Sequence, residues 1–407
     1  MRPRKRRVKK RRVKNDARRE QTRIPPEVRT VRKLRIGVVG CGRLGGFHSQ
    51  KLAAMKDVEL VAVVDPVSER AERLAAECGT TALSEPLALI GKVDAVVIAA
   101  STSAHHALAR PFLEAGIHVF VEKPITVTGE QAEELVSLAD ENGLVLQVGH
   151  VERFNPAFQA VLPYVDSPKF IEASRCGPFT FRSMDVGVVL DLMIHDIDLV
   201  LSLVRSRPVQ VDALGVSVLG GEEDVAHAVI RFESGCTAVL KASRVAYEPV
   251  RAMSIWTPRS WAKIDFAARN AEVVEPSETL LARRLDVRNL APDEIEYYKE
   301  NLYAEHLPRT RITTEPADAI RRELRDFVDS IRTPRRPLVT GRDGAAALSL
   351  AHEILESLAN HRWDEKEDGL AGPHALPRPA VVPAPHFRVV NPAETPGEKP
   401  FRRREAG

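Results

Sequence analysis

The segment LRIGVVGCGRLGG, residues 34–46, decides the fold of this chain of 407 residues. Its first six residues are mostly apolar and are enough for one buried strand. They are followed directly by Gly40-Cys41-Gly42-Arg43-Leu44-Gly45, a G-x-G-x-x-G pattern at the start of a helical stretch. In such a turn the first glycine permits the tight bend, the second lets a pyrophosphate approach the backbone and the third allows close helix packing. We therefore predict that Gly40, Gly42, Arg43, Leu44 and Gly45 bind a dinucleotide, the alternative being a purely structural glycine turn.

A carboxylate at the end of the next strand indicates which dinucleotide is bound. Asp65 follows Gly45 by 20 residues, where its side chain can accept hydrogen bonds from both ribose hydroxyls of an adenosine. A 2'-phosphate would meet this negative charge, and the following Pro66-Val67 supplies no arginine to neutralise it. NAD is therefore predicted as the cofactor, in preference to NADP.

Short apolar runs alternate with helical patterns up to residue 150. The predicted strands are 34–39, 59–64, 93–99, 117–121 and 144–148, and the predicted helices are 45–55, 68–77, 104–115 and 129–142. Ser68 is expected to cap the second helix, a Thr128/Gln131 capping box to open the fourth, and Gly143 to end it. Strands of this kind are buried on both faces by helices, so residues 34–150 are predicted to form a doubly wound parallel α/β sheet of the Rossmann type.

Beyond about residue 168 the pattern changes to strands in succession. These are predicted at 169–176, 209–219, 225–232, 237–246, 252–256 and 262–266, with an apolar helix at 186–204 before most of them. Apolar residues recur at helical spacing in 320–331 and 347–358, and these helices are expected to pack back on the body. Residues 151–363 are thus predicted to form a second α/β domain with a mostly antiparallel sheet.

The two ends of the chain differ in composition from the body. Residues 1–35 hold 17 Lys and Arg against three acids and carry +14, so the remaining residues carry −11 of the net +3. Residues 1–33 are predicted to be a disordered basic tail, and residues 364–407 a Pro-rich one. The basic tail has three open interpretations: a segment that binds nucleic acid or another polyanion, an inert extension, or upstream sequence translated from a misassigned start.

Composition also excludes several classes of protein. The chain contains no run of about 18 apolar residues, which excludes a membrane span. Its four cysteines are far apart and form no C-x-x-C pair, which argues against a disulfide scaffold or a zinc ribbon and fits the reducing cytoplasm.

Three polar residues stand where a catalytic site is expected. Lys123, in Glu122-Lys123-Pro124, ends a predicted strand at the carboxyl edge of the parallel sheet, where ligands bind in such folds. Asp191 and His195 share one face of an otherwise apolar helix, so we predict that they line a polar cavity. The alternatives are a solvated lysine, a satisfied core histidine, and a metal pair, for which no third ligand is evident.

Arginines near these residues are candidates for holding an anionic substrate group. Arg153 and Asn155 lie in the segment Val151 to Pro156, and Arg175 and Arg182 flank Cys176 to Phe181. We predict that these four side chains bind substrate, against the alternative of ordinary surface arginines.

Taken together, these motifs resemble the glucose-fructose oxidoreductase, inositol dehydrogenase and MocA family of nicotinamide-dependent oxidoreductases. The resemblance covers residues 34–360 and joins the glycine loop and Asp65 to Ser101-Thr102-Ser103-Ala104-His105, Glu122-Lys123-Pro124 and Gly187-x-x-x-Asp191-x-x-x-His195. It implies an open second sheet that commonly forms an oligomer interface, here in a homodimer or homotetramer. It also implies a lysine, an aspartate and a histidine around a sugar ring, which fall on Lys123, Asp191 and His195.

The resemblance further places Ser101, His105, Glu122 and Lys123 in the cofactor site. One departure is visible, because this chain has Ala100-Ser101 where the family often has Thr-Pro. Within the family, residues 148–156 and 190–198 look most like a bacterial UDP-N-acetylglucosamine 3-dehydrogenase branch, whose product is later aminated for lipid A precursors.

The hypothesis that follows is oxidation of a sugar ring hydroxyl, with hydride passing to NAD. His195 would accept the hydroxyl proton, Lys123 would hydrogen-bond the same oxygen, and Asp191 would orient one of them, although His195 and Lys123 could exchange roles. A free sugar or inositol is the alternative substrate. A nucleotide-sensing regulator with the basic tail as its nucleic-acid arm is the alternative from another class.

Overall fold

The fold was obtained as a computed structural model, which describes residues 32–181, 186–219, 221–315, 317–333, 335–364, 366 and 369–375. Most of both predicted tails, residues 1–31 and 376–407, lies outside the described residues. Two sheets organise the rest, one with six strands and one with eight. Among the helices of the described ranges, none has the length and apolar character that crossing a bilayer requires.

The six-stranded sheet is parallel throughout and has the order β3-β2-β1-β4-β5-β6. Its strands are β1 (Leu34–Val39), β2 (Val58–Val64), β3 (Thr81–Leu83), β4 (Ala95–Ile98), β5 (His118–Glu122) and β6 (Leu146–Gly149). Its helices are α1 (Arg43–Ala53), α2 (Ser68–Cys78), α3 (Thr102–Glu114) and α4 (Gly129–Glu141), with a 3-10 turn at Pro86–Leu89. The predicted doubly wound Rossmann sheet is confirmed, and its strand order reverses direction between β1 and β4, where such sheets bind ligands.

Helix ends differ from the predictions in two informative places. Helix α1 begins at Arg43, two residues before the predicted start, because Gly42 already serves as its N-cap. Ser68 is the first helical residue of α2 and Val67 is the N-cap, so the prediction of a Ser68 cap was wrong. At α4, the Thr128 hydroxyl does accept from the backbone N–H of Gln131 at 3.3 Å, and Gly143 has the left-handed φ of 62° that was expected after the helix.

The second sheet has the order β14-β13-β12-β11-β7-β10-β9-β8 and is antiparallel except for the pair β7 and β10. Its strands are β7 (Phe170–Cys176), β8 (Pro208–Val216), β9 (Val225–Phe232), β10 (Thr237–Ser243), β11 (Val250–Trp256), β12 (Trp261–Asp265), β13 (Asn270–Val274) and β14 (Arg309–Thr313). The predicted mostly antiparallel second sheet is confirmed. Strands β13 and β14 were not predicted. Strand β14 lies at the edge of the sheet, and its sequence RTRIT has a single large apolar side chain.

The remaining helices lie around this sheet or connect it to the first. They are α5 (Pro156–Val161), α6 (Ile194–Val204), α7 (Glu278–Leu281), α8 (Pro292–Asn301), α9 (Ala319–Arg332) and α10 (Gly341–Asn360), with 3-10 turns at Val151–Phe154 and Leu162–Tyr164 and π-helical turns at Val189–Met193 and Leu302–His306. Helix α6 and the π-helical turn before it cover one face of the sheet through Met193, Ile194 and Ile197, all fully buried.

Helices α9 and α10 return to the first sheet, as the sequence predicted. Phe327 of α9 packs edge-on against Phe120 of β5 with ring centroids 5.8 Å apart. Helix α10 contributes Leu348 to the core of the first sheet and Ala351 and Ile354 to the core of the second. One helix therefore belongs to both cores, and the two sheets share a packed boundary. After α10 the chain still contacts the body, since the backbone N–H of Ser217 donates to the carbonyl of Pro373 at 2.9 Å.

The glycine loop shows why its spacing matters. Gly40 has a φ of +98°, which side chains rarely adopt, and a Cβ there would lie 2.5 Å from the carbonyl oxygen of Ala99. A Cβ at Gly45 would lie 1.8 Å from the carbonyl oxygen of Gly40, so α1 can approach the turn only without one. Gly42, in contrast, has open space in front of its missing side chain, which leaves the start of α1 accessible to a ligand.

Two neighbouring glycines of α1 provide a matched test of this packing. We expect Gly45→Ala to lower the free energy of unfolding by about 2 kcal/mol or more, because the new methyl group must push the turn away. Gly46→Ala meets no atom within 4 Å outside its own helix. It should leave stability unchanged or raise it by up to about 1 kcal/mol through helix propensity. Urea denaturation followed by circular dichroism measures both, and equal losses in the two variants would contradict the packing argument.

Candidate active site

A cavity of about 570 Å³ lies between the carboxyl edge of the parallel sheet and the second sheet. The residues that line it are up to 280 positions apart in the sequence. They come from the glycine loop, the ends of β5 and β6, the region after β7, the π-helical turn, β11 and α9. The lining includes Arg43, Leu44, Glu122, Lys123, Arg175, Asp191, His195, Arg251 and Glu323. The three residues predicted to be catalytic therefore share one cavity, at the edge where the fold was expected to bind its ligands.

Lys123 and Asp191 join the two parts of the molecule inside this cavity. The Lys123 Nζ donates to the backbone oxygen of Asp191 at 2.8 Å and lies 3.3 Å from its carboxylate Oδ1. Both side chains are partly exposed to the cavity, at 14% and 28% of their surface. The ammonium group is thus held in place while part of it still faces the space where a substrate would lie.

The turn that carries Asp191 is fixed by a carboxyl group from a distant loop. Oε1 of Glu223, which is 3% exposed, accepts from the backbone N–H of Val189 at 3.0 Å. A Cβ on Gly187 would lie within 2.1 Å of this carboxyl group, so the glycine leaves room for it. Residues 189–193 form a π-helical turn that leads into α6, and the cavity is lined by Asp191 from the turn and by His195 from the first turn of α6.

The imidazole ring of His195 is buried at the cavity beside positive charges. Its pKa lies well below the usual 6.5, first because burial disfavours the charged ring and second because Lys123 and Arg175 are positively charged neighbours. The imidazole is therefore neutral near pH 7, as a general base must be. Its Nδ1 atom is buried and has no hydrogen-bond partner among the residues that the structure describes.

Glu122 holds the strand end on which Lys123 lies. Its Oε1 is 2.6 Å from Nε2 of the fully buried His48, and its Oε2 accepts from the backbone N–H of Lys123 at 3.3 Å. Burial alone would raise the pKa of Glu122, but the His48 hydrogen bond and the charges of His48 and Lys123 lower it below its usual value. Glu323 of α9, which is 1% exposed, has a pKa raised well above its usual value by burial and by the charge of Glu122.

His105 does not face the cofactor space. It is 1% exposed, and its ring nitrogens lie 2.8 Å from the carbonyl oxygen of Pro124 and 3.1 Å from that of Ala100. A direct contact of His105 with the cofactor stays a prediction, and in the structure the ring contacts the backbone next to Lys123. Ser101 is exposed as the N-cap residue of α3, with its hydroxyl 3.2 Å from that of Ser103.

Asp65 lies at the end of β2 beside the glycine loop. Its carboxylate accepts from the backbone N–H of Cys41 at 2.8 Å and from that of Val67 at 2.9 Å. The residue is 5% exposed, so the carboxylate organises the loop and presents little surface beyond it.

Two of the side chains predicted to bind substrate have partners within the protein. Arg153 forms a two-point ion pair with Asp198, at 2.7 and 2.8 Å, and Asp198 is 1% exposed. Asn155 is 7% exposed, accepts from the backbone N–H of Ala157 at the start of α5 and donates to Glu152. Neither residue lines the cavity. A carboxylate neutralises the arginine and the amide caps a helix, so substrate binding by these two side chains stays a prediction that the geometry does not support.

Arg175 does line the cavity, but two carboxylates balance its charge. It pairs with Asp196 through two nitrogens, at 2.8 and 3.1 Å, and with Glu152 at 2.8 Å. The side chain is nearly completely buried, so it organises the wall and does not offer a free cation. Arg182 lies outside the described residues.

The cations that remain open are Arg43 and Arg251. Both are exposed, both line the cavity, and neither has an ion-pair partner within the described part of the chain. Arg251 lies on β11 directly opposite Arg175 on β7. Sequence reasoning missed Arg251, because its place at the cavity depends on a strand register that the sequence does not reveal.

Comparison with known proteins matches both halves of the chain. Residues 34–150 match the model described as "Oxidoreductase family, NAD-binding Rossmann fold", and residues 167–259 match the GFO/IDH/MocA C-terminal domain. UDP-N-acetylglucosamine 3-dehydrogenase of Acidithiobacillus ferrooxidans is 36% identical over 322 residues, which cover 79% of this chain and 96% of that enzyme. Inositol 2-dehydrogenase of Rhizobium meliloti is 26% identical over 345 residues, 81% of this chain and 98% of that enzyme.

A solved structure supports the same relationship. The crystal structure of the A. ferrooxidans UDP-N-acetylglucosamine 3-dehydrogenase superposes with a TM-score of 0.71 at 34% sequence identity. The match covers 80% of this chain and 98% of that one.

The different states of Arg153 and Arg251 make a testable pair. Arg153→Ala should lower the free energy of unfolding by about 3 kcal/mol, because it leaves the buried Asp198 carboxylate unpaired. Arg251→Ala removes an exposed arginine and should change stability by less than about 0.5 kcal/mol. Urea titrations of both variants and the parent chain measure these free energies of unfolding. If Arg153→Ala were as stable as the parent chain, Arg153 would again be a candidate for substrate binding.

Proposed function

The chain belongs to the glucose-fructose oxidoreductase, inositol dehydrogenase and MocA family of oxidoreductases, and we propose that it oxidises a ring hydroxyl of a nucleotide sugar with NAD. The proposed substrate is UDP-N-acetylglucosamine, oxidised at its 3-hydroxyl. The observation that carries the proposal is the meeting of a neutral His195 with the Lys123–Asp191 pair in one cavity at the carboxyl edge of an NAD-binding domain.

The residues around the glycine loop fit a bound dinucleotide. The open space at Gly42 and the free start of α1 would accept a pyrophosphate, with Gly40, Arg43, Leu44 and Gly45 shaping the loop. Asp65 would offer the adenosine ribose the lone pairs that the backbone N–H groups of Cys41 and Val67 leave unused. Ser101 would border the nicotinamide side, and Glu122 would act through Lys123. NAD, when bound, supplies the hydride acceptor.

The chain's own residues would handle the proton. His195 Nε2 would take the proton of the hydroxyl being oxidised, since the ring is neutral and lines the cavity. Lys123 Nζ would donate a hydrogen bond to the same oxygen and stabilise the charge that develops there. Asp191 would keep the ammonium group directed at that position through the contacts already present.

The substrate's diphosphate requires a cation that is not already neutralised. Arg251 and Arg43 meet this condition, whereas Arg153 and Arg175 do not. A free polyol has no diphosphate, but the similarity to the R. meliloti inositol 2-dehydrogenase keeps inositol as the second candidate. With a nucleotide sugar as substrate, a cytoplasmic location and a role in supplying lipid A precursors would follow.

A substrate panel tests this proposal. We expect the full chain to form NADH, seen at 340 nm, with UDP-N-acetylglucosamine and to do so at least tenfold faster, in kcat/KM, than with myo-inositol or free N-acetylglucosamine. Arg251→Ala should raise KM for the nucleotide sugar tenfold or more and leave KM for NAD unchanged. If the chain prefers a free polyol, and Arg251→Ala leaves KM for that polyol unchanged, then the proposed substrate is wrong and only the oxidation with NAD is retained.

Substitutions at the two central residues accompany this panel. Lys123→Met and His195→Gln should each lower kcat by about 10² to 10⁴, the usual contribution of a positioned acid or base. Because the pKa of His195 is depressed, the parent's rate should stay constant as pH falls through 6.5 and decline only at lower pH. Near-normal turnover in either folded variant would refute the assignment.

We also propose that copies of this chain associate through the outer face of the second sheet as a homodimer or homotetramer. Helix α6 covers one face, while the other presents partly exposed Phe170, Trp256, Val229 and Val239.

Light scattering of the full chain tests this association. We expect a mass of at least twice 45.0 kDa. Val229→Asp should reduce it, because a carboxylate would be buried in the interface. Val287→Asp is the control, since Val287 is 71% exposed and lies outside the sheet. A parent chain of monomeric mass would contradict the proposal.

A further inference from the structure

His150 is a buried histidine that the proposed chemistry does not use. It is 1% exposed, and neither of its ring nitrogens has a hydrogen-bond partner within the described ranges. Buried polar atoms are nearly always hydrogen-bonded, because leaving one unpaired is costly. A ring with two such atoms therefore needs an explanation.

The position of His150 places it behind the wall of the cavity. It follows directly after β6, whose last residue, Gly149, lies in register with Glu122 at the end of β5. The residues on either side of it, Gly149 and Val151, line the cavity together with Lys123 and His195. The ring of His150 is thus enclosed next to the catalytic side chains without being exposed among them.

His195 has a complementary requirement. An imidazole can take a proton on Nε2 only when Nδ1 carries the hydrogen, and that hydrogen needs an acceptor. The Nδ1 of His195 is buried and finds no such acceptor among the protein atoms described. His195 lines the same cavity as Gly149 and Val151, the two residues that flank His150, so the two rings lie at neighbouring parts of one wall.

We propose that His150 is a positioning residue for His195, linked to it through one buried water that accepts the Nδ1–H hydrogen bond of His195. The proposal rests on the proposed function of His195 as the proton acceptor. The water would have hydrogen-bond partners in both rings, which is the environment that buried water requires. His195 would then be held in the tautomer whose Nε2 is free for the substrate's hydroxyl proton, and His150 itself would exchange no proton with the substrate.

The surrounding charges are consistent with a neutral His150 that can act as an acceptor. Burial is the main cause of the lowered pKa of His150, while the charge of Asp198 opposes it. The charged groups that act on one or both rings are Glu122 and Lys123 from the end of β5, Arg153 on the turn after β6, Arg175 on β7, Asp198 on α6 and Arg251 on β11. Glu323 of α9 lines the same cavity.

Three substitutions of His150 test the link. His150→Phe keeps the ring and removes the hydrogen bond, so kcat should fall tenfold or more with KM for NAD within twofold. Loss of the acceptor also destabilises the protonated form of His195, so the acid limb of the kcat profile should move to lower pH. Asn places a polar atom near the position of Nδ1 and Gln near that of Nε2, and at least one of His150→Asn and His150→Gln should restore kcat and the acid limb.

Unchanged kcat and an unchanged acid limb in folded His150→Phe would overturn the proposal, as would equal loss in all three variants. Nitrogen NMR of ¹⁵N-histidine-labelled full chain, assigned with His195→Gln, gives a readout that needs no substrate. We expect the Nδ1–H tautomer of His195 in the parent chain, and the Nε2–H tautomer would refute the role of His150. An inactive parent chain that shows the Nδ1–H tautomer would count against the proposed function alone.

Discussion

The contact of Lys123 with Asp191 is the interaction on which the candidate site depends. Lys123 ends a strand of the parallel sheet, and Asp191 lies in the π-helical turn that covers the second sheet. Supporting contacts converge on each partner: Glu122 and His105 hold the strand end, and Glu223 holds the turn. The position of the ammonium group is therefore set by two elements, each of which has supporting contacts of its own.

Charge in this region is almost fully balanced. Arg153 and Arg175 are buried with carboxylates at short distance, as electrostatics requires of a guanidinium removed from water. The body outside the basic N-terminal segment carries a net charge of −11, so a free cation at the cavity is the exception. An anionic substrate would therefore be recognised by a small number of local arginines and not by the overall field of the protein.

Much of the fold was predictable from the sequence because its signals are local. The glycine loop, the apolar strands after it and the strand succession beyond residue 168 each follow from neighbouring residues, and the sheets agree with them. The clustering of Lys123, Asp191 and His195 in one cavity was also predicted. The sequence did not reveal which polar side chains are already bonded, among them Arg153 and His105, since whether such a side chain is free depends on partners such as Asp198, 45 residues from Arg153. Arg251 and His150 were not identified as site residues for a similar reason. The position of Arg251 at the cavity depends on strand register, and the burial of His150 depends on the folded structure.

Helix α10 has a consequence for how this protein could be divided. Although the match to the NAD-binding family model ends at residue 150, the core of the parallel sheet is completed by Phe327 of α9 and Leu348 of α10, which the chain supplies some two hundred residues later. A gene fragment ending at residue 150 would therefore encode a sheet in which part of the apolar surface on each face is left uncovered. To exchange the first domain of this chain, its C-terminal helices would have to be exchanged with it.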